Sequence, residues 1–415
     1  MPDMVPGGGP GAQPGGGPGA ETGGDPGAEA GGDPGAVLGA EAGGGLGAEA
    51  GAVLGAEPDG GPGGLSHVGG LLDAAVRARG VPGAVAAVGR GPVTFARWAA
   101  GLADTTAGAV RPMTTGTVFD LASLTKVVAT ATATLALAGQ GLLGLDDPVT
   151  GYLPGFTGLG RVTIRHLLTH TSGLPATREF YRWCGSPREL LEALRATQPE
   201  ALPGSRVVYS DLGFILLGEV VAAVSGERFD VAVRRLVTGP LGMRDTGFTP
   251  PGAPGERFAA TEPRDDGTPW TGIVHDENAR VLGGIAGHAG LFSTLGDLAL
   301  FAAWWAGSGD GPVPAPLRAQ ASRCQTEGLD GRRGLGWMCA RDASGILGPG
   351  WPPSAVSHTG FTGTSIALDP GSGLWVVLLT NAVHFGRDHT AIKVLRRELH
   401  AAVAAWATPG ILPAP

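Results

Sequence analysis

Lysine is nearly missing from this 415-residue chain: of 29 basic residues, only Lys126 and Lys393 are lysine and the rest are arginine. Cysteine is scarce too. Cys184, Cys324 and Cys339 are odd in number and widely spaced, which excludes a disulfide framework as the organising principle and leaves no CxxC pair for a metal or redox site. The longest apolar run, residues 127–139, falls short of the ~20 residues a membrane helix needs and is interrupted by threonine, so no membrane insertion is expected. The first twenty residues, "MPDMVPGGGPGAQPGGGPGA", have neither the basic n-region nor the apolar h-region of a secretory signal, and the cytoplasm is the expected compartment. Without a basic stripe or polybasic patch, nucleic acid is not an expected partner.

Glycine is the opposite case, with 75 residues, 25 of them in the first 64 positions. From Gly19 the chain runs "GAETGGDP GAEAGGDP GAVL GAEAGGGL GAEAGAVL GAEPDGGP", an eight-residue repeat without aromatics. Such a segment has no apolar burial to offset its ordering entropy, so residues 1–64 read as a flexible extension: a linker, or an N-terminus lengthened by an upstream start. Nine acidic residues lie in it and no Lys or Arg precedes Arg77, so residues 65–415 are close to neutral, at about +1. With 43% apolar residues overall, the remainder can bury a sizeable core.

Periodicity organises that remainder as α+β. "LSHVGGLLDAAVRARG" predicts a helix, and "VPGAVAAVGR" with "VTFARWAAG" predicts a hairpin across "GRGP". Residues from Val127 are apolar or threonine on every face, the mark of a helix buried all round. "VTIRHLLTHTSGLP", "SPRELLEALRAT", "LGFILLGEVVAAVSG" and "TLGDLALFAAWWAGSG" predict further helices, the last capped by Thr294. "GLGWMCARD", "AVSHTGFTGTSIALDP" and "LWVVLLTNAVHF" read as three strands, the last two joined by "DPGSG", before a terminal helix. The expected architecture is one antiparallel sheet built from both chain ends and flanked by helices, with a large helical insertion. The sheet lobe would take residues 65–121 and 331–407 and the helical lobe 122–330, with 408–415 as a tail.

Ser123 and Lys126 stand three apart at a helix start, so their side chains share a face. A lysine kept from water can lose its proton and activate a serine hydroxyl; arginine cannot. Further on, Tyr209 in "VVYSDLGF", one of only three tyrosines, lies just ahead of a helix. His358 in "SHTGFTGTS" lies on an expected strand whose glycines permit close backbone approach. Ser-x-x-Lys, Tyr-x-Asp and His-Thr-Gly in this order resemble the serine hydrolases of the class C β-lactamase and penicillin-binding-protein type. "GTVFDLASLTK", "IRHLLTHTSGLP", "LGLDDPVTGYLP" and "VHDENARVLGGIAGHAGLFSTLGDLALF" resemble family text as well, over about residues 66–406.

The resemblance implies a β-lactamase/transpeptidase-like fold and no cofactor. It implies Ser123 as acylated nucleophile, Lys126 as proton acceptor and Tyr209 as proton shuttle. It places the oxyanion hole at the N–H groups of Ser123 and Phe361, and substrate contacts at Asp211, His358, Thr359 and Gly360. Asp211 stands where β-lactamases usually have Asn, and His358 where many have Lys. Both departures turn the expectation from β-lactams toward small esters or amides: esterase, D-amino-acid peptidase or cell-wall-fragment amidase chemistry. A β-lactamase or DD-carboxypeptidase is the alternative, and a penicillin- or muropeptide-binding protein with little turnover is the alternative of another class. Because an ionised Asp211 favours a protonated lysine, it leaves more of the basic work to Tyr209.

His166 and His170 have an i, i+4 spacing that zinc sites use, but the Glu of His-Glu-x-x-His is absent and no third ligand is near, so both read as packing residues and no metal is expected. His275, Asp276, Asn278 and His288 read equally as loop anchors or substrate contacts. A small-molecule substrate is the expected partner; the sequence leaves oligomeric state open.

Overall fold

The computed structural model describes residues 64–248 and 257–407. The extension, except Gly64, and the 408–415 tail lie outside the described residues. The described residues begin with a helix, Ser66–Arg77, followed by β1 (Gly83–Arg90) and β2 (Val93–Asp104), the expected hairpin, and a short β3 (Arg111–Pro112). β4 (Phe119–Asp120) and β5 (Phe292–Ser293) pair separately. The C-terminal part gives β6 (Met338–Cys339), β7 (Val356–Thr359), β8 (Ser365–Leu368), β9 (Leu374–Thr380) and the helix Thr390–Ala407. The main sheet has the order β3-β2-β1-β9-β8-β7-β6 with antiparallel pairing throughout, so β1 and β9, from opposite ends of the chain, meet at its centre.

Both faces of that centre are covered, which is why β1 and β9 read as nearly continuous apolar runs and not as an alternation. Ala84, Ala86 and Val88 with Val376 and Leu378 face the two terminal helices, meeting Val68, Leu72, Leu395 and Leu399. The alternate residues, Val85, Ala87, Val377 and Leu379, face the larger core of the intervening helices. Those include Thr132–Gly139, Asp211–Ser225 and Leu295–Ala306, the last capped by Thr294, whose side chain accepts from the Asp297 N–H.

Two local expectations are corrected. "AVSHTGFTGTSIALDP" is two strands, because Gly360–Thr364 turns back on itself: the Gly360 N–H donates to the Thr364 carbonyl at 2.7 Å. "GLGWMCARD" contributes only the two residues of β6. The buried helix after Ser123 also begins as a wider π-turn, Lys126–Ala131, before becoming α-helical. The Thr132 hydroxyl donates to the Val127 carbonyl there at 2.7 Å. Such turns recur at functional sites.

Candidate active site

Ser123 sits between β4 and the π-turn, and a carboxylate shapes its approach. The preceding residue, Ala122, adopts φ 46°, a left-handed conformation that side-chain-bearing residues rarely take. Asp120 holds it there. Its Oδ1 accepts the Ala122 N–H at 2.8 Å in an Asx-type turn, while Oδ2 accepts the His275 N–H at 2.6 Å. Burial raises the Asp120 carboxyl above its ordinary range, partly offset by those two N–H groups. The role of Asp120 was missed in the sequence. Its signal was an Asp two residues before the strained position.

The π-turn then aims Lys126 back at the serine. The ammonium is fully buried and meets three acceptors: Ser123 Oγ at 2.9 Å, Asp211 Oδ1 at 2.8 Å and the His288 carbonyl at 2.9 Å. An ammonium has three donors, so this environment matches the charged form. Burial pulls its pKa down, but the charge of Asp211 and the phenol of Tyr209 more than reverse that, and the net shift is upward. This environment favours the charged form of the lysine, which then donates to Ser123 Oγ.

Tyr209 and Asp211 are presented by the start of the helix Asp211–Ser225. The Ser210 hydroxyl caps that helix by accepting the Gly213 N–H at 3.2 Å and donates to the Pro175 carbonyl at 2.7 Å. Lys126 Nζ lies 5.0 Å from the centre of the Tyr209 ring, which also packs 4.6 Å from His170 and 6.0 Å from His358. His170 is a positioning residue: its Nδ1 accepts the Ser210 N–H at 3.0 Å, so in the neutral ring the proton is on Nε2. It has φ 59° and lies outside the short helix Ile164–Leu168, whereas His166 completes a capping box with Thr163. The i, i+4 spacing therefore does not put the two rings on one helical face. Among the described residues no group of three His, Cys, Asp or Glu side chains could hold a metal ion.

The far wall is the end of β7 and the turn after it. His358 is buried, and desolvation, with the charges of Lys126 and Arg333 behind it, pushes its pKa down to about 3. It is a neutral imidazole, with Nδ1 3.0 Å from the Thr359 carbonyl. Thr359 is half-buried and pairs with Ser365 across the β7–β8 hairpin. Gly360 must be glycine, because a Cβ would collide with the Thr364 side chain and the Leu121 carbonyl. That close approach brings the turn against the segment that carries Ser123. Two hydroxyls staple it there, Thr362 Oγ1 to the Asp120 carbonyl at 2.7 Å and Thr364 Oγ1 to the Leu121 carbonyl at 3.0 Å. Neither the Ser123 nor the Phe361 N–H donates a hydrogen bond among the described residues. The Phe361 ring is exposed at the rim, flanked by His389 at 4.4 Å and His275 at 5.6 Å.

The polar stretch around "VHDENAR" is engaged in scaffolding. His275 pairs with Glu262 at 3.0 Å; Asn278 bridges the Tyr181 N–H and the Arg178 carbonyl. Asp276 caps its helix and pairs with the His288 ring at 2.8 Å. Burial would raise the Asp276 carboxyl, but His288, the Ala279 N–H and Lys126 outweigh it and hold it well below the ordinary range. His288 thus reaches the lysine through its backbone carbonyl and not through its ring. No residue-type signal marks such a role.

A stability prediction follows from the buried imidazoles. Burial pushes His170 well below its ordinary pKa and His400 down to about 3, alongside His358. The unfolded chain binds these protons near pH ~6.5 and the folded chain does not, so stability is full above that pH and is lost as pH falls toward ~3. Three such groups give a slope of up to ~4 kcal/mol per pH unit. Denaturant midpoints should fall markedly between pH 7 and pH 5. Equal midpoints would contradict the neutral assignment.

A family model described as Beta-lactamase matches residues 68–401. A protein of Escherichia coli K12, provisionally named a D-alanyl-D-alanine carboxypeptidase, is 35% identical over 307 residues, 65% of this chain and 70% of its own length. Among solved structures, EstCE1, described as a hydrolase with promiscuous acyltransferase activity, matches with TM-score 0.64 at 26% identity, covering 80% of this chain and 98% of its own. A class C beta-lactamase from Rhodobacter sphaeroides matches with TM-score 0.64 at 20% identity over 82% of this chain and 99% of its own, a likeness of fold.

Proposed function

The chain belongs to the beta-lactamase family of serine hydrolases, and we propose that within it this protein cleaves small esters or amides whose leaving group carries no carboxylate. The neutral, buried His358, standing where many β-lactam-hydrolysing relatives carry lysine, is the observation that carries this reading. Arg333, whose charge reaches His358, is itself buried and lies 3.4 Å from Asp342, so that cation is already partnered.

In this reading Ser123 Oγ attacks the scissile carbonyl. Tyr209 accepts the serine proton as it hands its own phenolic proton to the departing atom, so the shuttle needs no net change in its protonation. The Lys126 ammonium, held by Asp211 and the His288 carbonyl, orients the hydroxyl and supplies fixed positive charge beside the transfer. The N–H groups of Ser123 and Phe361 receive the oxyanion. Water then enters along the leaving-group path, and the same tyrosine takes its proton while returning one to Ser123.

The name of the Escherichia coli relative favours a second reading, DD-carboxypeptidase, in which the substrate's terminal carboxylate must be bound. Parallel assays separate the two. A short-chain nitrophenyl ester and a D-alanyl anilide should turn over, with a chromogenic cephalosporin and a D-alanyl-D-alanine peptide at least tenfold slower in kcat/KM. The reverse order would overturn the proposal.

A further inference from the structure

The terminal helix Thr390–Ala407 carries a buried cation with no anion. Arg396 is 6% exposed and forms no ion pair among the described residues. Burial alone lowers its pKa, to about 10, so the guanidinium keeps its charge at neutral pH. Its Nε meets no partner, while Nη2 donates to the Gly360 carbonyl at 2.7 Å and to the Thr364 carbonyl at 2.7 Å. Desolvating a charge for two neutral carbonyls is costly, and two carbonyls at the ends of one turn are an unusual destination.

Gly360 C=O and Phe361 N–H belong to the same peptide group. A charge-assisted hydrogen bond to the oxygen draws electron density along that amide and makes its N–H a stronger donor. We infer that Arg396 is a positioning and polarising residue for the oxyanion hole: it clamps the Gly360–Thr364 turn and strengthens the Phe361 N–H through the Gly360 carbonyl. This rests on the reading of Ser123 as nucleophile and Phe361 N–H as oxyanion donor.

The geometry fits a second purpose of the clamp. The turn is already tied to the nucleophile's segment by Thr362 and Thr364, so Arg396 fixes from behind the element that those hydroxyls fix from the front. The Gly360 carbonyl also accepts the Gly363 N–H at 3.1 Å, so the turn keeps its own hydrogen bond when the arginine is removed. Losing Arg396 therefore weakens a donor more than it dismantles a loop.

The test compares wild type, Arg396→Lys, Arg396→Gln and Arg396→Met, each checked for cooperative unfolding, in the affinity of an aryl boronic acid and in kcat and KM for a nitrophenyl ester. A boronate on Ser123 presents a tetrahedral oxygen to the oxyanion donors, whereas KM reports mainly ground-state binding. Arg396→Met should lose roughly tenfold to a hundredfold in boronate affinity and a similar factor in kcat, less than the ~10²–10³ of deleting such a donor outright, with KM nearly unchanged. Arg396→Gln, which keeps a neutral donor, should fall between Met and wild type, and Arg396→Lys, which keeps the charge, should recover most of the loss. Folded Met and Gln variants with wild-type boronate affinity and kcat would overturn this inference alone. A wild-type protein forming no boron adduct on Ser123 would overturn the site reading and this inference with it.

Discussion

Replacing Lys126 by arginine should lower the rate of acylation by ~100-fold or more, although the positive charge is kept. The lysine nitrogen has Ser123 Oγ, Asp211 Oδ1 and the His288 carbonyl all within 2.9 Å, and the lysine itself is fully buried. A planar guanidinium is larger and points its donors in a fixed fork, so it cannot satisfy three acceptors arranged around one tetrahedral nitrogen. It would push either the serine or the His288 segment out of place, and small displacements of a nucleophile are expensive. The measurement is the pre-steady-state burst on a nitrophenyl ester. Near-wild-type acylation in Lys126→Arg would remove the lysine from the mechanism and return the scarcity of lysine to a compositional accident, as it is for Lys393.

Tyr209→Phe should separate substrates by their leaving groups. In both cases the serine proton is relayed by Tyr209 to the leaving group, but nitrophenolate is a weak base whose departure gains little from it, whereas an anilide nitrogen must be protonated to leave and so depends on the relay far more. The expected loss is ~10²-fold for the ester and up to ~10⁴-fold for the D-alanyl anilide, within the range general acid–base catalysis supplies. Deacylation should slow as well, leaving a trapped acyl-serine visible by intact mass. The ring stays packed against His170 in the variant, so a folding defect is not expected to mimic the result. Equal losses on both substrates would contradict the shuttle.

The parts of the site that were legible in the sequence are those where a side-chain type carries the chemistry. Ser123 and Lys126 touch because an i, i+3 spacing at a helix start leaves little choice, and Asp211 announced its ion pair by being a carboxylate next to a tyrosine motif. What stayed hidden acts through the backbone or across long separations. His288 contributes a carbonyl, which any residue could offer. Arg396 looks like one of several charges on an amphipathic terminal helix, and only the fold shows that it faces the β7–β8 turn. The turn itself was hidden because "HTGFTGTS" mixes β-prone threonine and phenylalanine with glycine, and the Gly360 N–H bond to Thr364 outweighs that local preference. The π-turn likewise leaves no mark in a run of valine, alanine and threonine.

The sheet was easier to foresee, because apolar continuity in β1 and β9 reports burial on both faces regardless of where in the chain a strand lies. Short strands such as β6 were overextended, since two paired residues carry no periodic signal.

The central claim is that Ser123 carries the acyl group, and intact-mass and peptide mass spectrometry after incubation with a fluorophosphonate test it most directly. A single adduct on Ser123 is predicted, absent in Ser123→Ala along with ester turnover. No adduct on Ser123, or ester hydrolysis that survives Ser123→Ala unchanged, would contradict it.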